Sequence, residues 1–270
     1  MGFLLAVLIW TVCIALSVPF ITRTWWFPEA ITEHGRGVDD QFMLTLVVTG
    51  VIFILAHFAL GYAVMRFGAN RPGPAVHSHG NERWEILWTT AATILFVGLT
   101  FMGYSAWAEV RFADQQTAPP DPDRLIVEVT AQQFVWNMRY PGTDGRFGPL
   151  DNSLINDLLG NPLGVDRNHP DGRDDITVPR MVVPVNRQVE VILRSKDVLH
   201  NFFVPELRIK LDTVPGLVGS LRFRPDTVGT YEIPCSELCG LGHYEMRSFL
   251  DVVEQADYDA WMAEQQSYLQ

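Results

Sequence analysis

The chain has 270 residues, 48% of them hydrophobic and 19% charged, with 31 Asp and Glu against 20 Lys and Arg and a net charge of −11. That length allows one sizeable domain with additional elements, and the composition suits either a globular or a membrane-anchored protein. The acidic balance argues against a nucleic-acid partner, whose phosphates require a basic surface.

The apolar residues concentrate in the first 108 positions, in three runs free of Asp, Glu, Lys and Arg: Gly2 to Thr22, Phe42 to Met65 and Ile86 to Ala108. Each is long enough to cross a bilayer, which takes about 20 residues of helix. A signal segment is the alternative for the first run, but no basic residue precedes it and no small-x-small cleavage site follows it, so a retained helix is expected. Cys13 within it is expected to pack as a small apolar residue. The connection between the second and third runs, "RFGANRPGPAVHSHGNER", carries Arg66, Arg71 and Arg83 against Glu82. Such a basic loop faces the cytoplasm, which puts residues 109–270 outside. His77 and His79 are then solvated in that loop, and His57 in the second run is expected to make an interhelical hydrogen bond.

Beyond the third run, "PPDPDR" from Pro119 to Arg124 reads as a linker. Residues 109–270 hold 15 basic against 25 acidic side chains, ten of the eleven net charges. Apolar alternation with β-branched and aromatic residues follows, in "LIVEVTAQQFVWNMRY", "RQVEVILRS", "GSLRFRPD", "GTYEIPC" and "SFLDVV". Short strands broken by Gly and Pro predict an antiparallel sandwich or barrel. Residues 142–175 interrupt this rhythm as an insertion, with a short helix expected at "SLINDLLG". The tail "DYDAWMAEQQSYL" has helical spacing and is expected to dock on the domain edge. His34 and His169 have no partner arguable from sequence.

The densest chemistry lies in "CSELCGLGHYEM", Cys235 to Met246. Three readings compete. An extracytoplasmic cysteine pair is usually a disulfide. A structural zinc site is the second, although C-x2-C is the commoner zinc spacing and a thioether is not a usual zinc ligand. Two thiolates, an imidazole and a thioether, joined by a further imidazole from His200 in "SKDVLHNFFVPEL", favour copper. Two thiolates on one loop can bridge two copper ions and share an arriving electron between them, which suits electron transfer rather than substrate chemistry.

At these residues the chain resembles subunit II of haem-copper cytochrome c oxidases. The resemblance rests on "SKDVLHNFFVPELRIKLDTVPG", on "CSELCGLGHYEM" and on "NERWEILWTT", and covers most of residues 42–255. It implies a fold class of membrane-anchored α plus all-β, with N-terminal transmembrane helices followed by a cupredoxin-like sandwich. The domains expected are 1–41 as a first transmembrane helix and outer loop or a signal segment, 42–108 as a helical hairpin, 109–124 as linker, 125–255 as the cupredoxin domain with its insertion at 142–175, and 256–270 as a C-terminal helix or tail.

The resemblance further implies a binuclear copper centre, CuA. His200 and His243 would each bind one copper, Cys235 and Cys239 would bridge, Met246 would bind weakly and Glu237 would offer its backbone carbonyl. The Glu237 carboxylate would also bind a magnesium ion shared with subunit I, a task that suits hard oxygen ligands. Electrons would arrive from cytochrome c and pass to haem in subunit I, where oxygen is reduced and protons are pumped, with subunit III and membrane lipid as further partners. Glu85 matches a family glutamate at the cytoplasmic mouth of a proton channel.

One departure concerns electron uptake. The family's Gln-Trp-x-Trp, whose first tryptophan meets cytochrome c, reads "QFVW" here, so Phe134 stands at the contact position and Trp136 is the other aromatic able to take that role. The adjoining insertion carries Asp144, Asp151, Asp157, Asp166, Asp171, Asp174 and Asp175 against Arg146, Arg167 and Arg173. Together these predict a donor cytochrome held in a larger assembly, for which tethering replaces steering by charge. No C-x-x-C-H haem motif occurs, so the donor is on another chain. A quinol oxidase subunit II would lack the copper ligands, nitrous oxide reductase would need a further catalytic domain, and a membrane-tethered copper carrier would occur without haem partners.

Overall fold

The computed structural model describes residues 1–68, 74, 77, 79–108 and 121–267. The chain divides into a helical unit, Met1–Pro28 with Gly37–Arg111, and a β unit, Glu29–Arg36 with Phe112–Gln270. Most of the expected linker, 109–120, lies outside the described residues.

Among the described residues three helices are long and apolar enough to cross a membrane: α1 Gly2–Ile21, α2 Glu33–Phe67 and α3 Glu82–Ala108. Helix α2 starts nine residues before its apolar run. Thr32 explains the early start: its hydroxyl accepts the Gly35 N–H at 3.1 Å, and Glu33 sits in the first turn, where the helix dipole favours a carboxylate. Helices α1 and α2 meet where the Trp10 indole stacks on Phe58 at 5.7 Å and donates to its carbonyl at 3.2 Å. A Cβ at Gly61 would lie 2.3 Å from the Trp10 indole nitrogen, so only glycine permits this approach. Cys13 is buried as expected. His57 differs from expectation. Its Nδ1 lies 2.8 Å from the Phe53 carbonyl one turn back in its own helix, so the bond seen among the described residues is within α2.

Among its described residues the β unit holds ten strands: β1 Leu125–Gln132, β2 Val135–Tyr140, β3 Ile176–Val178, β4 Met181–Pro184, β5 Val189–Ser195, β6 His200–Val204, β7 Ile209–Thr213, β8 Gly219–Phe223, β9 Gly229–Pro234 and β10 Arg247–Val253. They form a five-stranded sheet in the order β3-β2-β1-β5-β8, a three-stranded sheet β4-β10-β9 and the hairpin β6-β7. The purely antiparallel expectation is corrected, because β1 runs parallel to β5 and β4 parallel to β10. The chain between β1 and β5 passes through β4 in the other sheet, so it returns to its starting sheet in the same direction.

Alternation places Val127, Val129, Ala131, Val189, Val191 and Leu193 in the core with Met181, Val183, Phe202, Ile233, Leu250 and Val252. Each of these side chains other than Ala131 contributes about 1.5–3 kcal/mol of burial. The closing helix, α4 Gln255–Ser267, docks by burying Tyr258 and setting Trp261 edge-on to Tyr140 at 5.1 Å.

The insertion is folded, but not as expected. In place of a helix at "SLINDLLG" there are two 3-10 turns, Asn152–Leu154 and Asp157–Leu159. The Asp151 and Asn156 side chains each cap a turn by accepting a backbone N–H, and such local bonds compete with a continuous helix. Asp174 accepts from Thr143 N and Oγ1 at 2.6 and 2.8 Å and so ties the ends of the insertion together. His169 accepts the Asp171 N–H and starts a third 3-10 turn.

Candidate metal centre

The Cys235–Met246 loop joins β9 to β10 and is closed at its base by the Cys235 N–H donating to the Met246 carbonyl at 3.0 Å. It lies along β6, through the Phe202–Cys235 bridge and the Ser236 N–H donating to the Asn201 carbonyl. His200 opens β6, so strand pairing carries its imidazole to the loop.

The donor atoms converge. His200 Nδ1 and the Sγ atoms of Cys235 and Cys239 all lie within 4.8 Å of one another, and all three residues are buried. The two sulfurs are 3.9 Å apart, about twice a bonded S–S distance, so no disulfide joins them. Cys239 Sγ is 3.5 Å from His243 Nδ1 and 3.7 Å from Met246 Sδ, which in turn is 3.2 Å from His200 Nδ1. Glu237 is exposed, and its carbonyl oxygen lies 3.2 Å from Cys235 Sγ.

Two residues that the sequence reading passed over orient this cluster. Asp197 Oδ1 accepts from His200 Nε2 at 2.8 Å, and its other oxygen accepts the Gln133 N–H at 2.7 Å. A carboxylate only accepts, so Nε2 carries the proton and the Nδ1 lone pair faces the sulfurs. Burial alone would push the Asp197 pKa up, but the bonds from His200, Gln133 and Val198 outweigh it and hold it below the ordinary carboxylate value. Gln133 also donates from Nε2 to the Cys239 carbonyl at 2.5 Å. Burial, reinforced by the neighbouring Cys235, pushes the Cys239 thiol up to about 11, so without metal it stays protonated at neutral pH. A carboxylate three residues before His200 was the available signal for Asp197.

The donor set fits copper. Five sulfur and imidazole donors lie together, from His200, Cys235, Cys239, His243 and Met246, and the imidazole whose tautomer is fixed, His200, presents a lone pair.

The sequence profile described as "Cytochrome C oxidase subunit II, periplasmic domain" matches residues 125–255. The alternative cytochrome c oxidase subunit 2 of Bradyrhizobium diazoefficiens is 34% identical over 246 residues, covering 90% of this chain and 85% of that protein. The chain belongs to the cytochrome c oxidase subunit II family. A probable cytochrome c oxidase subunit 2 of Rickettsia felis is 32% identical over 83% of this chain, which spans 65% of that protein's length. Among solved structures, the periplasmic domain of subunit II (CoxB) of Bradyrhizobium japonicum is 29% identical, covers 56% of this chain and 99% of its own, and gives a TM-score of 0.41. Membership makes this chain one subunit of a cytochrome c oxidase, anchored by apolar helices and carrying a cupredoxin-like β unit.

The remaining expected site residues are dispersed. Phe134 lies at the β1–β2 turn, 38% exposed, beside the loop. Trp136 is corrected as a surface contact. It is fully buried, packed edge-to-face on Phe202 at 5.8 Å and 6.2 Å from the His200 ring, because strand alternation turns it into the core. Glu85 is exposed in the first turn of α3, with its carboxylate folded back towards Gly80. His77 and His79 face each other edge-on at 4.7 Å.

Proposed function

We propose that this chain is the electron-accepting subunit of a haem-copper oxidase. In this reading His200, Cys235, Cys239, His243, Met246 and the Glu237 carbonyl hold two copper ions, and the Glu237 carboxylate serves a magnesium ion shared with subunit I. The observation that carries it is the His200 Nδ1 lone pair, fixed by Asp197, facing two thiols and a thioether. Bound copper would supply one-electron chemistry between a cytochrome c, or a cytochrome c domain of an associated complex, and haem in subunit I. The chain's own part is to supply thiolates once metal displaces their protons, to keep the imidazole orientation constant and to exclude water behind Trp136 and Phe202. A rigid, buried donor set lowers the reorganisation that accompanies each electron. The three apolar helices would all cross the membrane, with Arg66 and Arg83 on the cytoplasmic side and the β unit in the periplasm.

Metal analysis of the purified protein is expected to give two coppers per chain, with one unpaired electron shared equally between them. One zinc, or no metal with Cys235 and Cys239 disulfide-bonded in a copper-treated preparation, would overturn the proposal. Glu85 is proposed to serve proton uptake, since an ionisable group at the start of an uncharged span is often functional. Glu85→Ala is expected to slow turnover of the complex while the copper spectrum stays the same. Unaltered turnover at saturating donor would remove Glu85 from that role.

A further inference from the structure

Helix α1 closes with bulky side chains on backbone that favours glycine. The Thr24 N–H donates to the Pro19 carbonyl at 2.9 Å and the Arg23 N–H to the Phe20 carbonyl at 3.3 Å, the paired bonds of a Schellman close. That close holds Arg23 in the left-handed region at φ +53°, and two residues on Trp25 is left-handed again at φ +56°. Neither side chain is used to hold the fold. Trp25 is 92% exposed, and the Arg23 guanidinium lies 6.0 Å from the centre of the Trp26 ring. Among the described residues the side chains of Arg23, Trp25 and Trp26 donate no hydrogen bond. The neighbouring aromatics fix the depth of this turn along the apolar runs. Trp26 and Phe27 lie 4.8 Å apart and reach Phe42 at 6.1 and 5.6 Å. The first uncharged run ends at Thr22 and the second begins at Phe42, so this contact brings the two run ends level.

We infer that Arg23, Trp25 and Trp26 form a seat for the phosphate of an anionic lipid headgroup at the outer face of the membrane. This rests on α1 and α2 both crossing the bilayer, as proposed above. Two observations select the occupant. The first is position: Arg23 directly follows the uncharged run, which puts the turn at headgroup depth, where indoles and basic side chains concentrate. The second is chemical complementarity. Guanidinium and indole nitrogens are donors only, whereas a phosphate diester offers acceptors only and pairs with arginine through two parallel bonds. The Thr24 hydroxyl is already engaged with that of Thr22 at 2.7 Å, and Thr22 with the Val18 carbonyl at 2.9 Å, so the open polar groups of the turn are those donors. Arg23 is also the one charged side chain among residues 1–28, so no carboxylate of that stretch competes with a phosphate for it. Stacking on Trp26 covers one face of the guanidinium and leaves its edge for the phosphate, while the projecting Trp25 ring enters the ester region beside it.

The test follows Trp25 itself. The full chain, grown with 5-fluorotryptophan, is placed in phosphatidylcholine vesicles, and the fluorine resonance that W25G lacks is assigned to Trp25. Phosphatidylglycerol with a spin-labelled headgroup is then added in steps. It is expected to broaden this resonance at lower fractions than phosphatidylcholine carrying the same label. In R23G the fraction giving half the effect should rise about fivefold, the worth of one basic side chain beside an anionic surface. Glycine suits both left-handed positions, so R23G and W25G should unfold no earlier than the wild type. Equal broadening by the two labelled lipids, or an R23G that behaves as the wild type, would overturn the inference. Reversal by excess glycerol phosphate in the water would do so too, because the site would then be one for free phosphate. Repeating the measurement on the purified oxidase complex covers the remaining occupant: a resonance that lipid labels no longer reach belongs to a contact with another subunit, and the lipid seat is wrong. The three-span reading is checked separately. A mature chain whose mass lacks α1, or a protease site inserted beside Trp25 that is cut only from the cytoplasmic side, defeats that reading, whereas an intact turn facing outwards without lipid contact defeats only the seat.

Discussion

Cys239→Ser is expected to leave the β unit folded, to abolish copper binding at the proposed centre and to slow cytochrome c oxidation by more than about a hundredfold, since losing even an outer partner of a ligand costs about ten- to a hundredfold. Cys239 is the node of the cluster. Its sulfur is within 4 Å of Cys235 Sγ, His243 Nδ1 and Met246 Sδ, so its removal withdraws the one donor that all three share. Serine is close in shape, and the residue lies in a loop whose backbone is held independently by the Cys235 N–H to Met246 carbonyl bond and by Gln133. Loss of copper should therefore come without loss of fold. Asp197→Ala gives the graded comparison: the ligands remain but the His200 tautomer is no longer imposed, and copper retention should fall by about tenfold. Copper per chain, turnover and the unfolding midpoint of metal-free protein, measured on the same preparations, check both variants. Full copper in Cys239→Ser would remove this residue from the ligand set.

Much of this site could be read from the sequence because its donors crowd into one loop. Cys235, Cys239, His243 and Met246 fall within twelve residues, and only His200 had to be brought from elsewhere. The three long apolar helices were equally legible as uncharged runs, since length and apolarity define them. What sequence did not give depends on contacts across the fold. The partners of His57 and the burial of Trp136 follow from which helix turn or strand face each residue meets. The parallel β1–β5 pair arises from a chain path that alternation does not encode. The acidic insertion reads as a charged face, yet Asp151 and Asp174 are spent on its own backbone and turns, Asp157 on Lys196, and Asp175 on a buried arginine.

That arginine leads to the second large effect. Arg139→Met is expected to destabilise the β unit by about 3–5 kcal/mol, the usual cost of breaking a buried ion pair from one side, which lowers its Tm by roughly 10 °C. In β2, Trp136, Met138 and Tyr140 face the core, while Asn137 and Arg139 on the other face are buried as well, because the insertion covers that face. Arg139 fastens this cover. Its guanidinium donates to Glu128 at 3.0 Å, to the Gly148 carbonyl at 2.5 Å and to Asp175, which is itself fully buried. Without it Glu128 still has Arg194 at 2.5 Å, but Asp175 keeps only the Gly148 N–H at 3.0 Å and becomes a stranded charge. R139M/D175N should therefore be less destabilised than the two single changes added together. The pH dependence gives an independent check. Burial already raises the Asp175 pKa despite Arg139, and removing the cation raises it further. A carboxyl with a folded pKa above its unfolded value binds its proton more tightly when folded, so between those two values stability increases as pH falls. The deficit of Arg139→Met should accordingly shrink when the pH is lowered from 7 towards the unfolded carboxylate value of about 4, while Arg139→Met with Asp175→Asn should lack this trend. Thermal unfolding of the full chain in detergent at several pH values measures both. A loss of only a few degrees at neutral pH, or a deficit that does not narrow on acidification, would show that the insertion is held by something other than this pair.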